Sequence, residues 1–238
     1  MKKPLLSIAL VALSIAVLWV VGARLYKPYP PDTTPEGAYL RVARAFAAGR
    51  PEDAFAYTET EAQWASYTLR DNRKAALARA AGFPAEERAR LHRDYDAVAA
   101  CNDGADVFAH YASTRKWDQR MRKDLSGVDH VERAPAAPAA PAAPAAPAAE
   151  GQSAASGERA TVVTAKGTRY TFRKRDNGIW GMTMFTADLL SEAARSAQDL
   201  TMLEGAAEDY ARRAAQAATA GPAEQTHRLL DGGPARQP

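Results

Sequence analysis

The chain has almost no cysteine. Only Cys101 of its 238 residues carries a thiol, so an internal disulfide framework is excluded, and paired-cysteine zinc sites go with it. Cys101 also stands far from the N-terminus, which excludes a lipid-modified cysteine closing an export signal; it reads as a small buried hydrophobe. Charge of one sign is missing too. With 31 basic and 28 acidic residues the formal net charge is only +3, no polybasic tail exists, and nucleic acid is not expected as a partner. Absent as well are the spacings that carry chemistry: no HExxH pair, Gly-x-Ser-x-Gly elbow, phosphate loop, EF-hand loop or dinucleotide fingerprint occurs. The sequence therefore assigns no catalytic residue, no cofactor and no metal.

What is present begins with an address. Lys2 and Lys3 precede an apolar run from Leu5 to Val21, closed by Arg24 and Lys27. That run approaches the roughly 20 residues needed to cross a hydrocarbon core. Residues 1–26 are expected to be a signal anchor, making residues 5–21 the membrane contact of a single-pass inner-membrane protein whose domain faces the periplasm. The alternative is secretion after cleavage near Ala23, since Val21-Gly22-Ala23 supplies small residues at a processing position.

Residues 27–33 form a proline-rich spacer, and 34–218 read as a single α+β domain. Thr34 caps a helix with Pro35 at its first position; Tyr39, Val42 and Phe46 recur at helical spacing until Gly49. Further helices follow from Pro51, from a Thr60–Gln63 capping box, around Leu91 and Val98, and along one stripe from Val107 to Leu125. Strands succeed them. Val128–Arg133, Thr161–Ala165, Thr168–Lys174 and Ile179–Phe185 are predicted to make a four-stranded antiparallel sheet, with turns at Lys166-Gly167 and Asp176-Asn177-Gly178. A three-residue loop with Gly178 left-handed is preferred, because it puts Trp180, Met182 and Met184 on the face of Tyr170 and Phe172. Asp188 opens a long C-terminal helix, with Leu200, Leu203 and Tyr210 set to pack on another surface. The Pro-Ala-Ala repeat inside 134–157 cannot build a core and is expected as a disordered loop inserted in a hairpin; 219–238 are expected as a disordered tail.

Two segments carry a family likeness. The stretch Thr34-Pro35-Glu36-Gly37-Ala38-Tyr39 through Ala54-Phe55, and the segment Gly167–Phe172 with Asn177-Gly178-Ile179-Trp180, resemble small exported domains of the NTF2-like (cystatin-like) superfamily. The resemblance implies helices covering one face of a sheet, with a cavity that serves isomerases, cyclases and noncatalytic modules alike. The helical region 60–125 is longer than that fold carries, and the helix after the sheet is an addition.

Candidate residues follow from chemistry. Tyr170, Phe172, Trp180 and Met182 form an apolar sheet face that serves as core or as a ligand pocket against Tyr39, Phe46 and Trp64. His92 with Asp96, and Asp106 with His110, sit four apart on predicted helices, as surface pairs do. His130 adjoins Asp129, but strand alternation is expected to point the two to opposite faces. Basic residues cluster at Arg115, Lys116, Arg120, Arg122 and Lys123 around Trp117, and at Arg169, Arg173, Lys174 and Arg175. The function expected is a noncatalytic, membrane-anchored envelope module binding a protein or anionic polymer; the alternative is an NTF2-like enzyme or carrier of a small hydrophobic ligand.

Overall fold

The computed structural model describes residues 29–134 and 157–219. Their first element, helix α1 (Pro35–Ala47), starts where Thr34 Oγ1 accepts from the Gly37 amide at 3.1 Å and proline needs no donor. The preceding residues pack on it: the Pro30 carbonyl accepts from Arg41 at 2.8 Å, and the Thr33 carbonyl accepts from the Trp180 indole at 3.0 Å. A 3-10 turn (Pro51–Tyr57) leads to α2 (Thr60–Arg79), then α3 (Ala85–Ala99), α4 (Gly104–Thr114) and α5 (Trp117–Asp124). The single stripe expected from Val107 to Leu125 is broken in two. Lys116 adopts left-handed backbone (φ 57°), which turns the chain so that Trp117 and Met121 also reach the core.

Strands β1 (Val128–Ala134), β2 (Arg159–Thr164), β3 (Arg169–Lys174) and β4 (Trp180–Met182) form one four-stranded antiparallel meander in chain order. Both tight hairpins close three-residue loops through a left-handed glycine: Gly167 (φ 81°) ends the β2–β3 turn and Gly178 (φ 81°) the β3–β4 turn. Met182 therefore pairs with Phe172, and Trp180 lies across from Lys174. The strands flanking the repeat are also partners, with Ala134 opposite Arg159.

Helices cover one face of this sheet. Tyr39, Val42 and Phe46 of α1 meet Phe108, Trp117, Phe172, Phe185 and Leu189 in a core where each is essentially solvent-free. Burial of a side chain of this size contributes about 1.5–3 kcal/mol relative to exposure. Helix α6 (Thr186–Thr219) then runs parallel to α2, level at Glu59–Thr186, Asn72–Ser196 and Arg79–Glu204. Small side chains make that approach close: Ala65 and Ala76 on α2, Ala193 and Ser196 on α6 are buried. Farther along, Leu203, Ala207 and Tyr210 of α6 pack on a second cluster of Ala80, Phe83 and Leu91.

Several expectations are corrected. The sheet is an open meander that does not match the curved, cone-like sheet of NTF2-like domains, so that family is withdrawn. Among the described residues no helix is long and apolar enough to cross a membrane. Helix α6 has the length, but Asp188, Glu192, Arg195, Asp199 and Glu204 on its first turns alone forbid hydrocarbon. The fold class is thus a helix-rich α+β domain with a long C-terminal helix and no membrane element in the described residues. The anchor 1–26, its membrane contact through 5–21 and the cleavage position near Ala23 lie outside the described residues. With no spanning helix to support them, the tethered envelope module, its polymer partner and the inner-membrane placement are not carried further. The helix after the sheet starts at Thr186 and not at Asp188, and Glu59, not Thr60, stands at the N-cap position of α2, with no side-chain capping bond.

Candidate functional site

Alternation along β3 and β4 sends Tyr170, Phe172, Trp180 and Met182 to the helix-covered face, and the structure brings all four together in one core. Phe172 and Met182 are completely enclosed and form its back wall. Tyr170 stands at one end. Its ring stacks on Tyr39, with centroids 5.4 Å apart and planes 29° from parallel, and the Tyr39 hydroxyl donates to the Ser126 carbonyl at 2.9 Å. The register places Val131, Val162 and Tyr170 in one row across the sheet. Val131 lies on the edge strand and is only half-buried, as are Val128 and Leu125 beside it. The Tyr170 hydroxyl makes no hydrogen bond among the described residues. Burial, reinforced by the Asp124 carboxylate and by Tyr39, pushes its phenol up to about 12. Trp64, expected as part of the wall, is instead 69% exposed on the outer side of α2.

The outer face of the sheet carries a string of charge. Between Val128 and His130 the register of β1 slips by one residue, a β-bulge at Asp129. The bulge cancels the alternation expected there, so Asp129 and His130 form a close pair, with Oδ2 and Nδ1 2.9 Å apart. His130 Nε2 lies 3.5 Å from Glu132, and Glu132 takes both terminal nitrogens of Arg169. The Asp129 hydrogen bond, followed by Glu132, raises the His130 pKa, while Arg169 lowers that of Glu132. Both carboxylates favour the protonated form of the imidazole.

A third constellation was hidden by the capping-box reading. Glu59, 5% exposed, turns its carboxylate to Arg173 at 2.8 Å and to the Thr186 hydroxyl, tying the starts of α2 and α6 to β3. Arg173 also reaches Glu61 at 2.6 Å, and Arg175 donates to the Ala56 carbonyl at 2.7 Å. The only sequence signal for this was a pair of arginines, Arg173 and Arg175, at the end of a strand. Since Arg169 and Lys174 are paired as well, to Glu132 and Glu158, the basic cluster of β3 is taken up by internal partners. The other basic cluster surrounds a tryptophan that is itself buried, Trp117 at 1% exposure, so no aromatic is interleaved at its surface.

His92 and Asp96 do meet, at 2.9 Å, on an exposed helix face, whereas Asp106 turns to Asn102 and not to His110. No group of three or more His, Cys, Asp or Glu side chains suited to a metal ion occurs among the described residues. Burial, followed by Asp106 and Asp103, pushes the Cys101 thiol up and away from the reactive thiolate. Comparison with family models, curated proteins and solved structures finds no match for the chain.

Proposed function

We propose that this domain binds and carries a small apolar ligand at the Tyr39–Tyr170 end of the helix–sheet interface. The observation that carries the reading is Tyr170: an aromatic ring 5% exposed whose hydroxyl has no partner among the described residues, beside a half-buried apolar rim of Leu125, Val128 and Val131. A ligand lays its apolar body against that rim and its polar end toward the Tyr170 hydroxyl. Phe172, Trp180 and Met182 support the reading as the fixed wall behind. The Tyr170 phenol, raised to about 12, is protonated at neutral pH and able to donate a hydrogen bond.

The test is titration of the full chain with the neutral dye N-phenyl-1-naphthylamine. Saturable fluorescence enhancement at one site per chain, with a rise in Tm by mass action, is expected for the wild type, and its loss in Val131→Trp, which fills the rim. Enhancement that never saturates, or that survives unchanged in a folded Val131→Trp protein, overturns the reading.

A further inference from the structure

Strand β1 is an open edge: the sheet runs β1-β2-β3-β4, and no strand lies beyond β1 among the described residues. The opposite edge is closed, since Thr58 bridges to Met182 of β4. Which groups β1 leaves free follows from the ladder. The Ala165 amide donates to the Gly127 carbonyl and the Thr164 amide to the Thr168 carbonyl, so odd-numbered residues along β2 turn their backbone to β1 and even-numbered ones to β3. His130, Glu132 and Ala134 lie opposite Val163, Thr161 and Arg159, and are therefore bonded inward. Val131 and Arg133 turn their N–H and C=O outward, where a further strand can take them.

Edges of this kind are blunted by charge or by a bulge, and β1 has both. The bulge at Asp129 and the proline at 135 confine the open strip to residues 130–134. The charges do not blunt it against a second copy of itself. In an antiparallel pair related by a two-fold axis, the residue on the axis faces its own equivalent. With His130, Glu132 or Arg133 on the axis, like groups meet; with Ala134 there, Arg133 meets Pro135, which has no amide. With Val131 on the axis, His130 of each copy faces Glu132 of the other, and Arg133 stands level with the Asp129 bulge. Half-buried Val131 then meets Val131 of the second copy, and their main chains exchange two hydrogen bonds. The row of Val131, Val162 and Tyr170 continues into its equivalent across the axis.

We infer that two copies of this chain pair antiparallel through β1, with the two-fold axis at Val131, joining their four-stranded sheets into one. The inference goes beyond the ligand reading and does not depend on it. So short a strip buries less than the roughly 1,200 Å² of a tight complex, which makes the dimer a reversible one.

Sedimentation velocity of the full chain, over a series from about 1 to 300 µM, should show a monomer–dimer equilibrium. Val131→Pro removes the central outward N–H without touching a bond to β2; it should keep the wild-type Tm and weaken the dimer about tenfold. His130→Glu sets carboxylates against each other on both sides of the axis and should weaken it about fivefold. Adding Glu132→Arg restores unlike pairs and should recover the wild-type Kd, a rescue that damage to the fold cannot give. Should Val131→Pro fail to fold, the charge variants decide. A chain monomeric throughout the series overturns the inference. So does a dimer that a folded Val131→Pro or His130→Glu leaves as tight as before, or one that the double variant does not recover.

Discussion

At the scale of single residues, two ionisable groups give direct readouts. A tyrosine whose folded pKa lies above its unfolded value holds its proton more tightly when folded. The stability tied to that proton is whole below pH 10 and drains as the pH climbs toward about 12. Alkaline denaturation should therefore steepen across that window, and Tyr170→Phe should remove its share of the slope and one late-titrating phenolate from the ultraviolet titration. His130 is raised as well, by neighbouring carboxylates and not by burial. Its raised pKa comes first from Asp129, so Asp129→Asn should move the imidazole titration, followed by NMR, down toward the ordinary histidine value; an unmoved resonance would mean that the bulge does not hold the pair together in solution. Apolar burial was legible at this scale for Tyr170, Phe172, Trp180 and Met182, because strand alternation specifies a face. It misplaced Trp64, for which helical spacing alone does not say which arc of a helix faces inward when small residues such as Ala62 and Ala65 occupy the buried one.

At the scale of elements, glycine-marked turns were the most readable features. Gly167 and Gly178 each close a loop in a backbone conformation that side chains resist, and that fixes the register of three strands. What escaped the sequence were features decided by partners distant along the chain. The break at Lys116, the bulge at Asp129 and the pairing of Glu59 with Arg173 and Thr186 have no local signature, since each is set by what the element meets after the chain has folded back. Gly181 shows the same dependence. A Cβ there would lie 2.7 Å from the Thr58 carbonyl oxygen and 2.8 Å from the Glu59 amide nitrogen, where residue 58 bridges to Met182. Gly181→Ala should cost about 1–3 kcal/mol by overpacking, read by denaturant unfolding, and should free the start of α2 in hydrogen exchange. Helix α6 offers a graded comparison. Leu189 sits in the main core and Leu203 is only half-buried against the second cluster. Leu189→Ala should cost about 2–5 kcal/mol, and Leu203→Ala distinctly less, with its exchange effects confined to the last turns that touch Phe83. Equal losses would show that the two clusters melt as one.

At the scale of the whole molecule, residues 135–156 separate two strands that are hydrogen-bonded neighbours, Ala134 lying opposite Arg159. Closure entropy changes slowly with loop length. Replacing 135–156 by Asn-Gly should therefore shift unfolding free energy by no more than about 1 kcal/mol, measured by urea titration; cleavage within the segment that releases two independently folded fragments would refute the single-domain organisation.

The parallel pairing of α2 with α6 sets an order of events during synthesis. More than a hundred residues lie between Glu59 and Thr186, which meet in the finished protein, and all four strands are among them. The alanine-lined side of α2 is thus complete long before anything exists to cover it. Until the ribosome delivers the last helix, the nascent domain carries that stripe bare, and contacts of such large sequence separation form late because their closure entropy comes first. A chain halted between Met182 and Thr186 would keep its sheet and lose the lid on α2, making it the form most in need of a chaperone. Completion of α6 is the step that covers α2.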